Sequence, residues 1–269
     1  KKTELKKNIQ SDANNALQNL KETEILIAEK EKMLDERMEG NTLLRRKQYE
    51  YKGTGIARYI VVNKIENQRA VLVSERNKNG LTKDAIKQLD SYIDSLTHNE
   101  LEYNVILGLE GTAAKVYFSR FFSEIGWKGR KPRIKFDYIN AALDIGYTIL
   151  FNVVDALVNC FGFDEYCGVL HRCFYMRKSL ICDFMEPMRS IIDCATKRAI
   201  NLKQIKESDF EVYNKAYVLN WDKSALYSQI YVKAILDYRM EMFTYIQGYY
   251  RAFMKDKPIQ DFPKFEFKR

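Results

Sequence analysis

The stretch that most limits what this chain can fold into is residues 137–160, DYINAALDIGYTILFNVVDALVNC, apolar around much of a helical circumference. A helix with so little polar face belongs near the middle of its domain, with the other elements laid around it. No uninterrupted apolar run reaches about 18 residues, so no membrane span is expected. Gly and Pro are scarce, 12 and 4 in 269 residues, which favours helices over a turn-rich β fold. This length makes one large domain or two smaller ones, with enough buried surface to need no staples. Five cysteines in no framework spacing fit free thiols in a reducing cytoplasm. No secretory leader is expected. The chain opens on Lys1 rather than Met, which leaves room for trimming or for a longer polypeptide.

Residues 1–38 are highly charged. They read as a short helix from Ser11 to Leu20, then two short strands around Glu24–Ala28 and Met33–Met38. One long solvated helix satisfies the same periodicity. Residues 54–78 read as a helix with Ile56, Ala57, Ile60, Ile65, Val71 and Leu72 as its apolar positions, closed by Gly80 as a left-handed cap. Thr82 is expected to cap a second helix, striped by Ala85, Ile86, Leu89, Tyr92, Ile93 and Leu96, with His98 a solvated turn residue after it. Residues 195–269 read as helical, with one long helix from Trp221–Ser224 through Tyr250. The basic, aromatic tail 258–269 is expected on the surface or mobile. Neither GxGxxG nor GxxxxGK[ST] occurs.

Two stretches carry candidate chemistry. In residues 101–125 a helical stripe runs Ile106, Glu110, Ala113 or Ala114, Tyr117, Phe121, so Glu110 stands where a core residue belongs. It is either functional or a buried acid paired with a Lys or Arg. Gly108 and Gly111 beside it leave room for another backbone. In residues 168–189, GVLHRCFYMRKSLICDFMEPMR, Asp183 and Glu186 stand three apart in an apolar, helical run, with His171 upstream. Buried carboxylates need a cation, a hydrogen-bond network or a proton. The residues leave two readings open. One is a metal site including His171, Asp183 and Glu186; the other is a helix with a polar face and a histidine satisfied in a turn. Between the two stretches, WKGRKPRIK at 127–135 is a basic loop, either plain solvated surface or a track for phosphates. The net charge of +8 also suggests nucleic acid or an anionic surface. Carboxylates with one imidazole suit a divalent cation of the Mg2+ or Mn2+ type, and a metal beside basic loops suggests phosphoryl transfer on a nucleic acid.

Five segments, in order, resemble one known family. They are KIENQR at Lys64–Arg69, LEGTAAKVYF at Leu109–Phe118, NAALDIGYTIL at Asn140–Leu150, GFDEYCGVLH at Gly162–His171 and SLICDFMEPMR at Ser179–Arg189. Together they are similar to the CRISPR-associated adaptation integrase, the first core protein of spacer acquisition. The resemblance covers roughly residues 40–195 well. It implies Glu110, His171 and Glu186 as metal-binding catalytic residues, Asp183 as a supporting catalytic acid and Tyr117 as an aromatic beside the DNA. It also implies the fold class: mainly α with a small β-containing N-terminal part, an α+β chain. Residues 1–53 would be the end of a β-rich domain plus linker, 54–257 the helical catalytic domain and 258–269 a basic tail. The reaction implied is transesterification, joining 3′-hydroxyl ends of short spacer DNA to a repeat array. The partners implied are double-stranded DNA, a second copy in a homodimer and a small ferredoxin-like protein, in a prokaryotic cytoplasm and without a membrane. Lys128, Arg130, Lys131, Arg133, Arg172, Arg177, Lys178 and Arg189 are candidate phosphate contacts. Asp144 stands where the family more often has a small uncharged polar residue. Three rival readings share the sequence: a metal-dependent endonuclease using water, a zinc module built on Cys160, Cys167, His171, Cys173 and Cys182, and a helical nucleic-acid-binding scaffold without chemistry.

Overall fold

The computed structural model describes residue 18 and residues 40–76, 79–127, 129–131, 134–172 and 174–268. The chain divides into two compact units, residues 1–47 and 48–269, so the boundary falls six residues before the one expected at 53. In the first unit Gln18 and residues 40–47 are helical. Gln18 apart, the short helix and strand pair expected over residues 11–38 lie outside the described residues, as do Lys128, Arg133 and Cys173.

The second unit is helical. Its elements are α1 Gly55–Ser74, α2 Gly80–His98, α3 Tyr103–Phe121, α4 Tyr138–Asn159, α5 Ser179–Met185, α6 Arg189–Asn201, β1 Phe210–Tyr213, β2 Ala216–Leu219, α7 Ser224–Leu236 and α8 Arg239–Met254. α4 is the apolar helix read from the sequence, with the Asp137 side chain accepting from Asn140 N at its start and Gly162 at φ 79° just past its end. By length and mean hydropathy, 1.6, it could cross a membrane. Here it packs instead against α5, α6, α7, α8 and β2. Gly146 makes that packing close: a Cβ there would fall 2.5 Å from Ile192 Cγ2 and 2.7 Å from Tyr231 Cε1. The buried Tyr231 hydroxyl donates to Ala142 O at 2.8 Å.

α1 packs on α2 and α3, and also on α6 and the turn Glu186–Met188. It is therefore buried on several sides, and Asn63, Lys64, Asn67 and Gln68 lie inside with the aliphatic residues. Asn63 and Asn67, one helical turn apart, bind the C-terminal tail. Asn63 Nδ2 donates to Phe265 O (2.9 Å) and Asn63 Oδ1 accepts from Phe265 N (2.8 Å). Asn67 donates to Phe265 O (2.8 Å) and accepts from Phe267 N (2.9 Å). Phe262 and Phe265 are buried. The tail expected at the surface is thus part of the core, because two buried amides offer its backbone the hydrogen bonds that an extended segment needs.

Four further expectations change. The long helix through Tyr250 breaks at Asp237–Tyr238; the Tyr238 hydroxyl reaches Lys268 O, and its ring stacks on Phe267 at 5.5 Å. Residues 210–219 form an antiparallel hairpin rather than helix, turned by Asn214 and Lys215 at φ 49° and 63°. That is the backbone of a type I′ turn, which suits the twist of a two-residue hairpin. Gly80 opens α2 instead of closing α1, and Asn79 is the cap, accepting from Thr82 N at 2.9 Å. A Cβ at Gly108 or Gly111 would meet nothing within 4 Å, so no other backbone among the described residues approaches there.

Candidate active site

Glu110 stands one turn past Ile106 on α3, within a stripe whose other members, Ile106, Ala113, Tyr117 and Phe121, are buried. α1 runs beside α3 and brings Lys64 to it. Lys64 Nζ donates to Glu110 Oε1 and lies 2.6 Å from Glu186 Oε2. The two acids, distant in sequence, thus converge on one ammonium. Arg189, three residues after Glu186, grips it with both ends of its fork, Nε to Oε2 at 2.8 Å and Nη2 to Oε1 at 2.9 Å. Burial alone would raise the Glu186 carboxyl; Arg189 and Lys64 outweigh it and hold Glu186 well below the ordinary carboxylate range. His171 adds to that lowering.

Asp183 has a different task from the one expected. It is fully buried, and four N–H groups occupy its two oxygens. Oδ2 accepts from Val169 N (2.6 Å) and Leu170 N (3.0 Å); Oδ1 accepts from His171 N (2.8 Å) and faces His171 Nδ1 at 2.7 Å. Burial pushes the Asp183 carboxyl upward, and these donors oppose it. No acceptor capacity is left for a reacting atom, so Asp183 is a positioning residue and not a catalytic acid. A carboxylate only accepts, so the ring proton sits on Nδ1, and Nε2 is the nitrogen left for a ligand. Gly168 makes this seat possible: a Cβ there would fall 2.6 Å from His171 O and 2.8 Å from Asp183 Oδ2.

The candidate phosphate contacts divide. Arg130 is tied to Asp144 and to Asn140 Oδ1 (3.1 Å), and the buried Asn140 also accepts from Lys131 N at 2.9 Å and donates to Gly129 O at 3.2 Å. Asp144 thus serves as the anchor of the basic loop. Lys178 pairs with Asp155 (2.7 Å) and Glu165 (3.0 Å), and Arg177 donates to Arg172 O (2.7 Å) and Ser179 Oγ (3.2 Å). Lys131, over the Phe136 ring, and Arg172, over the Tyr103 ring, are exposed. Tyr117 is a correction: it is 0% exposed and stacks on Phe121 in the core, with no surface to offer DNA. His98 is exposed at the end of α2, as expected of a solvated residue.

Three participants escaped the sequence reading as site members: Lys64, the role of Arg189 on Glu186, and Asp193. Asp193 accepts from the Tyr147 hydroxyl, and Arg189 lies over the Tyr147 ring at 4.6 Å. Burial raises the Asp193 carboxyl to about 6, against the pull of the Tyr147 hydroxyl. Its Oδ2 and the Tyr117 hydroxyl are buried without a hydrogen-bond partner among the described residues. For Lys64 one signal was present: a lysine interleaved in a helix with apolar residues on several sides, where a solvated face would need one clean polar stripe.

Among the described residues, no three His, Cys, Asp or Glu side chains are gathered closely enough to hold a metal ion. Cys160 is exposed and Cys167 and Cys182 are half-buried, all outside any disulfide, so the zinc alternative finds no cluster among the described residues. The donor set does suit a hard divalent cation. Two carboxylates already share one positive charge, and one imidazole has its far nitrogen left by an acid-held tautomer.

A helical domain with converging acids and an acid-braced histidine defines the class. The family model described as CRISPR associated protein Cas1 matches residues 26–232. The chain therefore belongs to the Cas1 family. It is 30% identical over 204 residues to the CRISPR-associated endonuclease Cas1 2 of Rhodospirillum rubrum, covering 69% of this chain and 59% of that one. It is 36% identical over 167 residues to the CRISPR-associated endonuclease Cas1 of Leptospira interrogans, covering 58% and 66%. The chain thus spans about three fifths of the length of such curated relatives. Solved structures share the fold. A casposase bound to integration product superposes with TM-score 0.68 at 21% identity, over 84% of this chain and 70% of that one. A Cas6-RT-Cas1–Cas2 complex gives 0.71 at 22% identity, over 80% and 25%, and a Cas1 protein from Thermotoga maritima gives 0.68 at 21%, over 79% and 70%.

Proposed function

We propose that this chain is the catalytic part of a metal-dependent DNA integrase of CRISPR adaptation. The observation that carries the reading is the convergence of Glu110 and Glu186 on one positive charge, with His171 braced by Asp183, in a chain of the Cas1 family. In the reaction the 3′-hydroxyl of a short DNA attacks a phosphodiester of the repeat array. One P–O bond forms as another breaks, and the displaced oxygen leaves as a 3′-hydroxyl, taking up a proton in place of the one that the attacker gives up. The nucleophile belongs to the DNA, so no side chain needs to be one. Glu110, Glu186 and His171 Nε2 would hold Mg2+ or Mn2+, which when bound supplies charge stabilisation for an in-line phosphoryl transfer. Arg189 keeps Glu186 ionised and aimed, and Asp183 keeps the His171 proton on Nδ1. Exposed Lys131 and Arg172 take phosphates, joined by Lys128 and Arg133, whereas Arg130, Arg177, Lys178 and Arg189 act by bracing the loops and acids around the site.

The partners of this reading are double-stranded donor and repeat DNA, a second copy of the chain and a small ferredoxin-like protein, in the cytoplasm of a prokaryote. The Cas1–Cas2 composition of structural neighbours and the integration product held by the casposase support it. The test is a strand-transfer gel assay with the full polypeptide and its partner, comparing donors that carry a 3′-hydroxyl with dideoxy-ended donors. Joining is expected only with the hydroxyl, and is lost in Glu110→Gln and Glu186→Gln. Joining that survives a blocked donor overturns the proposal. The word endonuclease in relatives' names favours one second reading, hydrolysis by water at the same residues. Cleavage without joining, indifferent to the donor end, would select it.

A further inference from the structure

We infer that Lys64 keeps the metal's seat: without a divalent ion its ammonium holds Glu110 and Glu186 together, and it gives way when the ion binds. This rests on the metal-site reading above and adds a competitor inside the protein to it.

Two carboxylates do not approach one buried point unless something positive lies between them. Lys64 meets that need from a rigid helix. Its side chain is 8% exposed, beside Glu186 at 5% and Glu110 at 24%. Burial works against the ammonium, yet the Glu186 and Glu110 charges outweigh that cost and raise its pKa above the ordinary value. Counting charges, Glu110 and Glu186 are balanced by Lys64 and Arg189. A divalent ion added to that balanced set leaves two surplus positive charges in a poorly solvated place. One of the resident cations must retreat. Arg189 is held by a two-point grip on Glu186 and by the face of Tyr147. Lys64 makes point contacts from a flexible four-carbon stem, and the oxygens it touches, Glu110 Oε1 and Glu186 Oε2, are among those that an ion would take. Lys64 is therefore the group that moves. It pre-assembles the acids and weakens metal binding by the same contact, a positioning residue that acts through its two partners.

Calorimetric titration of the whole protein with MnCl2 tests this. Lys64→Met is expected to bind Mn2+ at least about ten-fold more tightly than wild type, because one competing charge is gone, while Lys64→Arg stays within about three-fold. Equal or weaker binding in Lys64→Met, with binding still lost in Glu186→Gln, overturns this inference and leaves the metal site standing. Binding indifferent to Glu186→Gln in every background overturns the metal-site reading and this inference with it. If Lys64→Met does not fold, the wild type decides. Amine acylation of Lys64, followed by peptide mass mapping, should be slow without metal and at least about five-fold faster with Mn2+, as a buried paired amine becomes free. Labelling unchanged by Mn2+ overturns the inference.

Discussion

Replacing Asp183 by Asn tests how the histidine is held. The amide has one oxygen and one NH2 group where the carboxylate has two acceptors. If the oxygen stays on Val169 N and Leu170 N, the NH2 faces His171 N and Nδ1. The backbone N–H of His171 then loses its acceptor, and Nδ1 can accept from the amide only if the ring proton moves to Nε2. The opposite flip strands two buried backbone donors and is worse. One orphaned donor costs about 1–3 kcal/mol, so the urea midpoint should fall by that amount of stability. The functional cost is larger in kind, because Nε2 now carries a proton and no longer accepts. Loss of such an outer support lowers metal affinity by about 10–100-fold, readable by Mn2+ calorimetry. Imidazole 15N spectra should show the proton on Nε2 in the variant and on Nδ1 in the wild type. Unchanged Mn2+ affinity with the proton still on Nδ1 would refute the reasoning.

Further outcomes follow from the same geometry. Gly168→Ala should cost about 1–3 kcal/mol, since its Cβ meets His171 O and Asp183 Oδ2, while Gly108→Ala and Gly111→Ala, with open space around them, should each add about 0.5–1 kcal/mol of stability by urea titration. Asp193 has its carboxyl raised from 3.8 to about 6, so the folded protein binds more protons than the unfolded chain between those values. Its contribution is fully present below pH 3.8 and is lost as pH rises through about 6, an effect of about 3 kcal/mol at 1.36 kcal/mol per pH unit. Asp193→Asn should flatten that part of the profile of urea midpoint against pH; an unaltered slope would assign it elsewhere. Phe265→Ala should cost about 3–5 kcal/mol, whereas a mobile tail would tolerate it without change.

What the residues announce on their own is local. The α4 helix, the Glu110 stripe and the Asp183–Glu186 spacing are periodic patterns, and a helix fixes which neighbours share a face whatever surrounds it. The hairpin at 210–219 left a fainter trace, β-branched and aromatic residues in FEVY and AYVL on either side of the two-residue turn Asn214–Lys215, with no alternation to separate it from the helical tail expected there. The order of five motifs pointed to the family, and the family model agrees.

The tertiary structure alone decided who meets whom. Lys64 and Glu110 are 46 positions apart, and Asn63 and Phe265 are 202 apart. No period links them; only the packing of α1 against α3, the 186–188 turn and the tail does. Lys64 stood out in sequence only by its apolar neighbours on several sides, and nothing in the order of residues named the partners that Asn63, Lys64 and Asn67 meet. Nor could the order of residues say that Asp183 would spend every acceptor on the 169–171 backbone and one imidazole. A carboxylate's role is set by the donors aimed at it, and those arrive only when the chain closes on itself.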